Sequence, residues 1–347
     1  MQRHTDHRPG PGGVLGNQRG IALVLVLLVI ALLTTLIIEF DFRTRLDLRA
    51  AGAFRDDASA YLLADSAAQV ARAVLYEDRI NSGYDGFDED WAKPFVDVPV
   101  GNGTVTVVAT DEDGKFDLNI LKRPADGASE QESKRDEQHI AIFDRLLVDV
   151  LEVEPERAVT MRDSLIDWID ADDGEEPDGA EASYYQSLEQ PYGCRNGPLR
   201  TVDELGLVKG FDREMIEKLS PHVTVMWEGS APPAAGAGKV NINTVTAELL
   251  RALSPEITEE IAGNIIAGRP FSEPADITAA GLQGKVQALG EDAAQEIVPL
   301  LRRDSDHFSV EARGVVGDTV RTVRALLSRK VAAAGEQRVR VIAWRVE

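Results

Sequence analysis

Cysteine is almost missing from this sequence of 347 residues: there is one, Cys194. A single thiol excludes an intrachain disulfide framework and any multi-cysteine metal site. Histidine is scarce as well, with five, at positions 4, 7, 139, 222 and 307. Only His4 and His7 are neighbours, in a polar leader, so a histidine-built zinc site or triad has no support. Positive charge is also short: 37 Lys plus Arg face 59 Asp plus Glu, a formal net charge of −22. Tracking phosphates needs a basic surface, so nucleic-acid binding is not expected. What is plentiful is apolar content. Hydrophobic residues make up 44% and charged residues 28%, enough for a sizeable core and too apolar for wholesale disorder. The length allows two or three domains.

Residues 1–20 are polar and mildly basic, with Arg3, Arg8 and Arg19 against Asp6. Ile21 to Ile38 then runs without a charge, as IALVLVLLVIALLTTLII. At about 1.5 Å per residue this helix is roughly 27 Å long, one hydrocarbon core. The basic flank predicts a cytoplasmic N-terminus. The run is longer than a usual signal-peptide core, and Glu39-Phe40-Asp41-Phe42 offers no small-x-small cleavage site. Gly20, between Arg19 and Ile21, looks like a type IV prepilin processing site, where cleavage precedes the apolar helix and leaves it in the mature protein.

Helical spacing continues beyond the apolar run. Phe54, Ala58, Tyr61 and Leu62, then Ala67, Val70, Ala71, Val74 and Leu75, fall on one face. One long helix over about 21–80 is expected, its second half packing on a sheet. Strand signals follow at Phe95–Val100, Thr104–Thr110 and Phe116–Leu121. Residues 122–136 are polar and flexible in composition. Helical patterns then occupy 138–153, 155–170, 201–207, 212–219, 244–253, 257–267, 274–281 and 291–302, with a loop at Pro232–Gly238. Strands return at His307–Val316, Asp318–Lys330 and Arg338–Val346, with turns at Gly317 and Ala333–Gly335. The expected fold is α+β. A long N-terminal helix packs on a small antiparallel sheet built from both ends of the chain, and a large all-α domain is inserted between them. The boundaries are a leader 1–20, a transmembrane part 21–38, a first α/β part 39–121, an insertion 122–303 and closing strands 304–347.

The densest chemistry is acidic. Asp163 to Glu181, DSLIDWIDADDGEEPDGAE, carries nine carboxylates and no Lys or Arg. Such crowding repels unless something neutralises it, and closely spaced hard oxygens on a turn suit Ca²⁺. Asp170, Asp172 and Glu181 match positions 1, 3 and 12 of an EF-hand count, but the glycine, Gly174, stands at 5 and not 6. A calcium loop outside the EF-hand pattern is therefore expected, the alternative being a solvated acidic helix end. Leu165, Trp168 and Ile169 should be buried. No apolar pocket signal splits these carboxylates into an acid and a base, so an enzyme is not expected. Val240–Thr244 followed by AELLRALSPEITEEIAGNIIAGRPF has the outline of a helix-hairpin-helix, and 198–219 that of a related unit. Its hairpin, Ser254-Pro255-Glu256-Ile257, puts a carboxylate where a phosphate would sit. Cys194 reads as an incidental free thiol.

Taken in order, QRGIALVLVLLVIALL at 18–33, GKFDLNIL at 114–121, LIDWIDADDGEEPDGAEASYY at 165–185, PLRTVDEL at 198–205 and KVNINTVTAELLRAL at 239–253 resemble the K-type minor pseudopilin of the type II secretion pathway. Pilin-like chains usually carry glutamate at mature position five. Here that position is Leu25, which suits a subunit with no neighbour ahead of it. The resemblance implies a pilin-like fold and cleavage between Gly20 and Ile21 by a prepilin peptidase, with methylation of the new amine. It implies a single-pass inner-membrane protein, anchored by 21–38, whose globular part is periplasmic. It implies assembly with I- and J-type minor pseudopilins and the inner-membrane secretion platform, as the cap and initiator of a pseudopilus that exports folded proteins across the outer membrane. It also implies a structural Ca²⁺ in the inserted domain, with Asp170, Asp172, Asp173 and Glu181 as the ligand set. The alternative is a soluble exported calcium-binding protein with a cleaved signal peptide.

Overall fold

The computed structural model describes residues 18–124, 127–226, 238–330 and 339–347. The expected leader up to residue 17, loop 232–237, turn 333–335 and the strand start at Arg338 lie outside the described residues. The chain divides into two compact units, 1–58 and 59–347. One continuous helix, α1 (Gln18–Asn81), runs through both. Within the first unit the segment Ile21–Ile38 is long and apolar enough to cross a membrane, and its large side chains are exposed. Its two hydroxyls are satisfied inside the helix: Thr34 donates to the Ile30 carbonyl and Thr35 to that of Ala31, both at 2.8 Å. Hydrocarbon, which cannot hydrogen-bond, demands this of any buried donor.

The second unit holds a five-stranded antiparallel sheet. Its strands are β1 (Phe95–Val100), β2 (Gly103–Asp111), β7 (His307–Val316), β8 (Thr319–Ser328) and β9 (Arg340–Val346), paired in the order β1-β2-β7-β8-β9. Alternation along β7 sends Phe308, Val310 and Ala312 inward, where they pack with Val323, Ala325 and Leu327 of β8. The second half of α1 covers this face as expected, with part of the expected stripe. Ala67, Ala71 and Leu75 are buried as read from the sequence and Ala60, Ala64 and Ala68 join them, whereas Leu62 and Val70 are 60% and 57% exposed. Close approach explains the choice. A Cβ at Gly314 of β7 would stand 2.2 Å from the Ala60 carbonyl oxygen, so backbone nearly meets backbone and only alanines fit between.

Between β2 and β7 lies the helical block. It comprises β3 (Phe116–Asp117), α2 (Glu130–Arg145), α3 (Pro155–Ile169), α4 (Ala182–Gln186), α5 (Arg213–Leu219), β4 (Val223–Thr224) and β5 (Val240–Asn241). After these come α6 (Ala247–Leu253), α7 (Glu259–Ala267), α8 (Ala279–Lys285), α9 (Glu291–Ile297) and β6 (Leu301–Arg302). A separate core runs through it, including Phe116, Phe143, Leu165, Trp168, Tyr185, Leu249 and Phe271. Leu165, Trp168 and Ile169 are buried as expected.

Several elements differ from the sequence reading. The strand at 116–121 stops at Asp117, whose carboxylate caps a 3₁₀ turn over Leu118–Ile120 by accepting from the Asn119 amide. α2 begins at Glu130, inside the stretch read as flexible, because Ser129 and Glu132 form a reciprocal capping box. α6 starts at Ala247, not 244, with Thr246 as its cap. The last helix ends at Ile297, and Leu301–Arg302 pairs with Val240–Asn241 in parallel. α4 and the two-residue strands have no periodicity to reveal them.

The block joins the sheet through a polar neck. The Glu112 amide donates to the His307 carbonyl at 3.0 Å. The buried Asp111 carboxylate accepts from Asn241 Nδ2 (2.9 Å), Thr244 Oγ1 (2.6 Å), Ser305 Oγ (2.7 Å) and the Asp113 amide (2.9 Å). Burial pulls Asp113 upward, yet the His307 imidazole and the Arg302 guanidinium hold it down at about 2. Beside them burial lifts Asp85 to about 8 even though Arg329 pairs with it.

Candidate functional site

The acidic run is built on the C-terminal end of α3. Arg123 pairs with Asp163 (2.9 Å) and Glu176 (3.0 Å), and Arg162 also reaches Asp163 (2.9 Å). Among the described residues the other seven carboxylates of the run form no ion pair. Asp167, fully buried in the last turn of α3, takes the amides of Glu176 (3.1 Å) and Ala180 (2.7 Å). The Lys209 ammonium donates to the Gly179 carbonyl at 2.7 Å and lies over the Tyr184 ring. These contacts fold residues 170–181 into a closed loop.

The four expected ligands stand differently in that loop. Asp170 follows the last residue of α3, and its Oδ1 is buried with no hydrogen-bond partner. Burial, then the charges of Asp172, Glu181 and Asp167, push Asp170 up to about 7. Glu181 is 4% exposed. One of its oxygens accepts from the Ala182 amide at the start of α4, and the other, Oε1, is buried without a partner. Asp172 is exposed, and its Oδ1 accepts from the Gly174 amide at 2.8 Å. Asp173 is exposed and accepts from Asn196 Nδ2 at 2.9 Å. Among the described residues, a group of three carboxylates with closely converging oxygens lies elsewhere. Asp78, Asp85 and Glu89 bring ligand atoms within 4.8 Å of one another, but Arg329 already bridges the first two.

Two orphaned carboxylate oxygens, on Asp170 and Glu181, fit a hard cation. Buried acceptors are normally satisfied, and each exception calls for a partner. Sequence reasoning gave Asp167 no role of its own and read Cys194 as an incidental free thiol. The Cys194 thiol lies against the Asp167 carbonyl (3.7 Å) and the Glu181 carboxylate, and burial raises its pKa to about 11. No local motif marks either residue, because both act across the loop. At the other end of the chain, Gly20 and Ile21 lie in the first turn of α1, both exposed.

The helix-hairpin-helix outline is realised by α6 and α7. The Ser254 hydroxyl at their junction accepts from the Glu256 amide (3.3 Å) and donates to Glu296 (2.5 Å), so the hairpin turns inward onto α9.

Known proteins share this organisation. Residues 114–228 match the first-domain family model described as "Type II secretion system (T2SS), protein K", and 240–300 match a second model of the same description. A type II secretion system protein K of Klebsiella pneumoniae is 30% identical over 319 residues, covering 90% of this chain and 93% of its own. One from Pectobacterium carotovorum is 29% identical over 318 residues, covering 90% and 92%. A chain in the crystal structure of the GspK-GspI-GspJ complex from enterotoxigenic Escherichia coli superposes with a TM-score of 0.65 at 21% identity, covering 88% of this chain and 99% of that one. These relatives lend no support to a soluble exported calcium-binding protein. Two family models together matching about half of the chain, and a relative 30% identical over nine-tenths of it, make the assignment: the chain belongs to the type II secretion system protein K family and is a minor pseudopilin.

Proposed function

We propose that this chain caps the tip of a pseudopilus together with I- and J-type minor pseudopilins and starts its assembly. The observation that carries this is the fold match across 88% of the chain to a chain solved within a GspK-GspI-GspJ complex. A prepilin peptidase cuts between Gly20 and Ile21, and Ile21–Ile38 holds the product in the inner membrane beside the secretion platform. The globular unit then stands in the periplasm. Leu25 supports the tip position, since a glutamate there would find no terminal amine ahead of it. Co-purification of the full chain with its I- and J-type counterparts in detergent tests this. A stable ternary complex supports it, and monomeric elution of all three refutes it. Mass spectrometry of the mature N-terminus tests the anchor: a start at Ile21 agrees, and a start beyond residue 38 does not.

The inserted domain holds Ca²⁺ through Asp170, Asp172, Asp173 and Glu181. The two orphaned buried oxygens and the seven unpaired carboxylates support this reading. The ion supplies positive charge that lets the loop keep its oxygens together. A ligand bound by the folded state alone stabilises it, by about 2.7 kcal/mol at a hundredfold excess over Kd. Melting of the full chain should therefore shift upward with excess calcium and downward with chelator. Superimposable curves would remove calcium from the account.

A further inference from the structure

The acidic loop hangs from a side chain outside the expected ligand set. Asp167 sits one helical turn before Asp170 on α3, and none of it is exposed. Its Oδ1 accepts from the Glu176 amide at 3.1 Å, and its Oδ2 from the Ala180 amide at 2.7 Å. One carboxylate therefore ties positions nine and thirteen residues downstream back to the helix end. Ala180 immediately precedes Glu181, so the tie sets where the Glu181 backbone enters α4. The buried Glu181 then leaves Oε1 without a partner, as Asp170 leaves Oδ1. Gly179 completes the arrangement: a Cβ there would stand 1.9 Å from Asp167 Oδ2, so only glycine lets the loop come this close.

Resting on the calcium reading above, we propose that Asp167 is the positioning residue of the loop: it spends its oxygens on backbone amides and holds Asp170 and Glu181 in place without binding the ion itself. The division of labour follows from donor accounting. A buried amide left without an acceptor is costly, and Asp167 is the acceptor for two of them. Asp170 and Glu181 each keep one buried oxygen free.

The test uses the full chain in detergent with calcium ion alone, and with terbium ion as a luminescent substitute. Asp167→Asn sets an NH₂ group against one of the two loop amides. Calcium affinity should fall about tenfold or more, the usual cost of losing a partner that orients ligands. The number of waters on bound terbium, read from lifetimes in H₂O and D₂O, should not change. Gly179→Ala removes no oxygen but crowds Asp167, and it should weaken calcium to a similar degree. Wild-type affinity in either variant overturns the inference, and so does one additional water on terbium in Asp167→Asn, the mark of a lost ligand. If the wild type binds no calcium, the calcium reading fails and this one falls with it, a result visible before any variant is made.

Discussion

At Gly314 the backbone of α1 comes close against the sheet, and replacing this glycine with valine should lift the helix. A Cβ at this position would stand 2.2 Å from the Ala60 carbonyl oxygen, 2.8 Å from the Ala64 amide nitrogen and 3.0 Å from Leu63 Cβ. Carbon contacts normally settle at about 3.5 Å, so the helix must retreat by roughly 1 Å. Two of the three obstacles are backbone, and no side-chain rotation relieves them. The retreat costs contact along the whole alanine face, since a 1 Å gap forfeits about half the dispersion well. Overpacking usually costs about 1–3 kcal/mol, and the backbone obstacles put this case at about 3 kcal/mol or above. At about 2.1 cal/mol/K of unfolding entropy per residue, a unit of this size should melt roughly 5 °C lower. Calorimetry on the full chain reads the stability. Tryptophan emission reads the geometry, because Trp91 packs edge-on to Phe308 with centroids 5.0 Å apart on the same buried face. Gly263→Ala is the control: it lies inside α7 with nothing within 4 Å of the added carbon. That change should gain up to about 1 kcal/mol from helix propensity. A Gly314→Val protein melting within 1 kcal/mol of wild type, with unaltered emission, would refute the close-approach argument.

Two further outcomes are expected. Burial holds the His139 imidazole at about 4 where it packs on Phe116, and the unfolded chain protonates it near 6.5. Its contribution is therefore complete above pH 6.5 and drains away as pH falls towards 4, a loss of about 2 kcal/mol by pH 5. Titrating the unfolding free energy of wild type against His139→Phe from pH 8 to 5 should show the difference moving by that amount in favour of the variant; a constant difference would disprove it. Asn241 is fully buried, donates to the Asp85 carbonyl, Asp111 Oδ2 and Ser305 Oγ, and accepts from the Asn243 amide. Asn241→Ala leaves several of these unsatisfied, so a loss of about 3 kcal/mol and faster amide exchange at Ser305 and His307 are expected; exchange unchanged there would show that the neck does not depend on it.

Much of the organisation is written in local pattern. The charge-free run at 21–38 shows a helix segment long and apolar enough to cross a membrane, because solvation of a helix depends on consecutive residues. Extended and β-branched runs show β1 and β2, and alternation shows β7 and β8, almost to the residue, because a pleated strand repeats every two positions. The acidic loop is visible as composition alone. Which side chains of α1 are buried is only partly legible, since large apolar residues such as Leu62 and Val70 count towards an apolar stripe, whereas the closely approaching sheet buries Ala60, Ala64 and Ala68. α2 was hidden by its polar first turns, which stand because of a cap.

What the sequence alone determined about this protein is its inventory: a membrane-length apolar run, a split sheet, an inserted helical block and a cluster of acids. These depend on neighbours a few bonds apart. Only the tertiary structure decided how the acids divide their work, with Asp167 closing the loop and Asp170 and Glu181 keeping a free oxygen each. It also decided that Asp111 and Ser305, 194 positions apart, meet at the neck. A hydrogen bond depends on where two groups end up after the backbone has closed, and no periodicity records that distance.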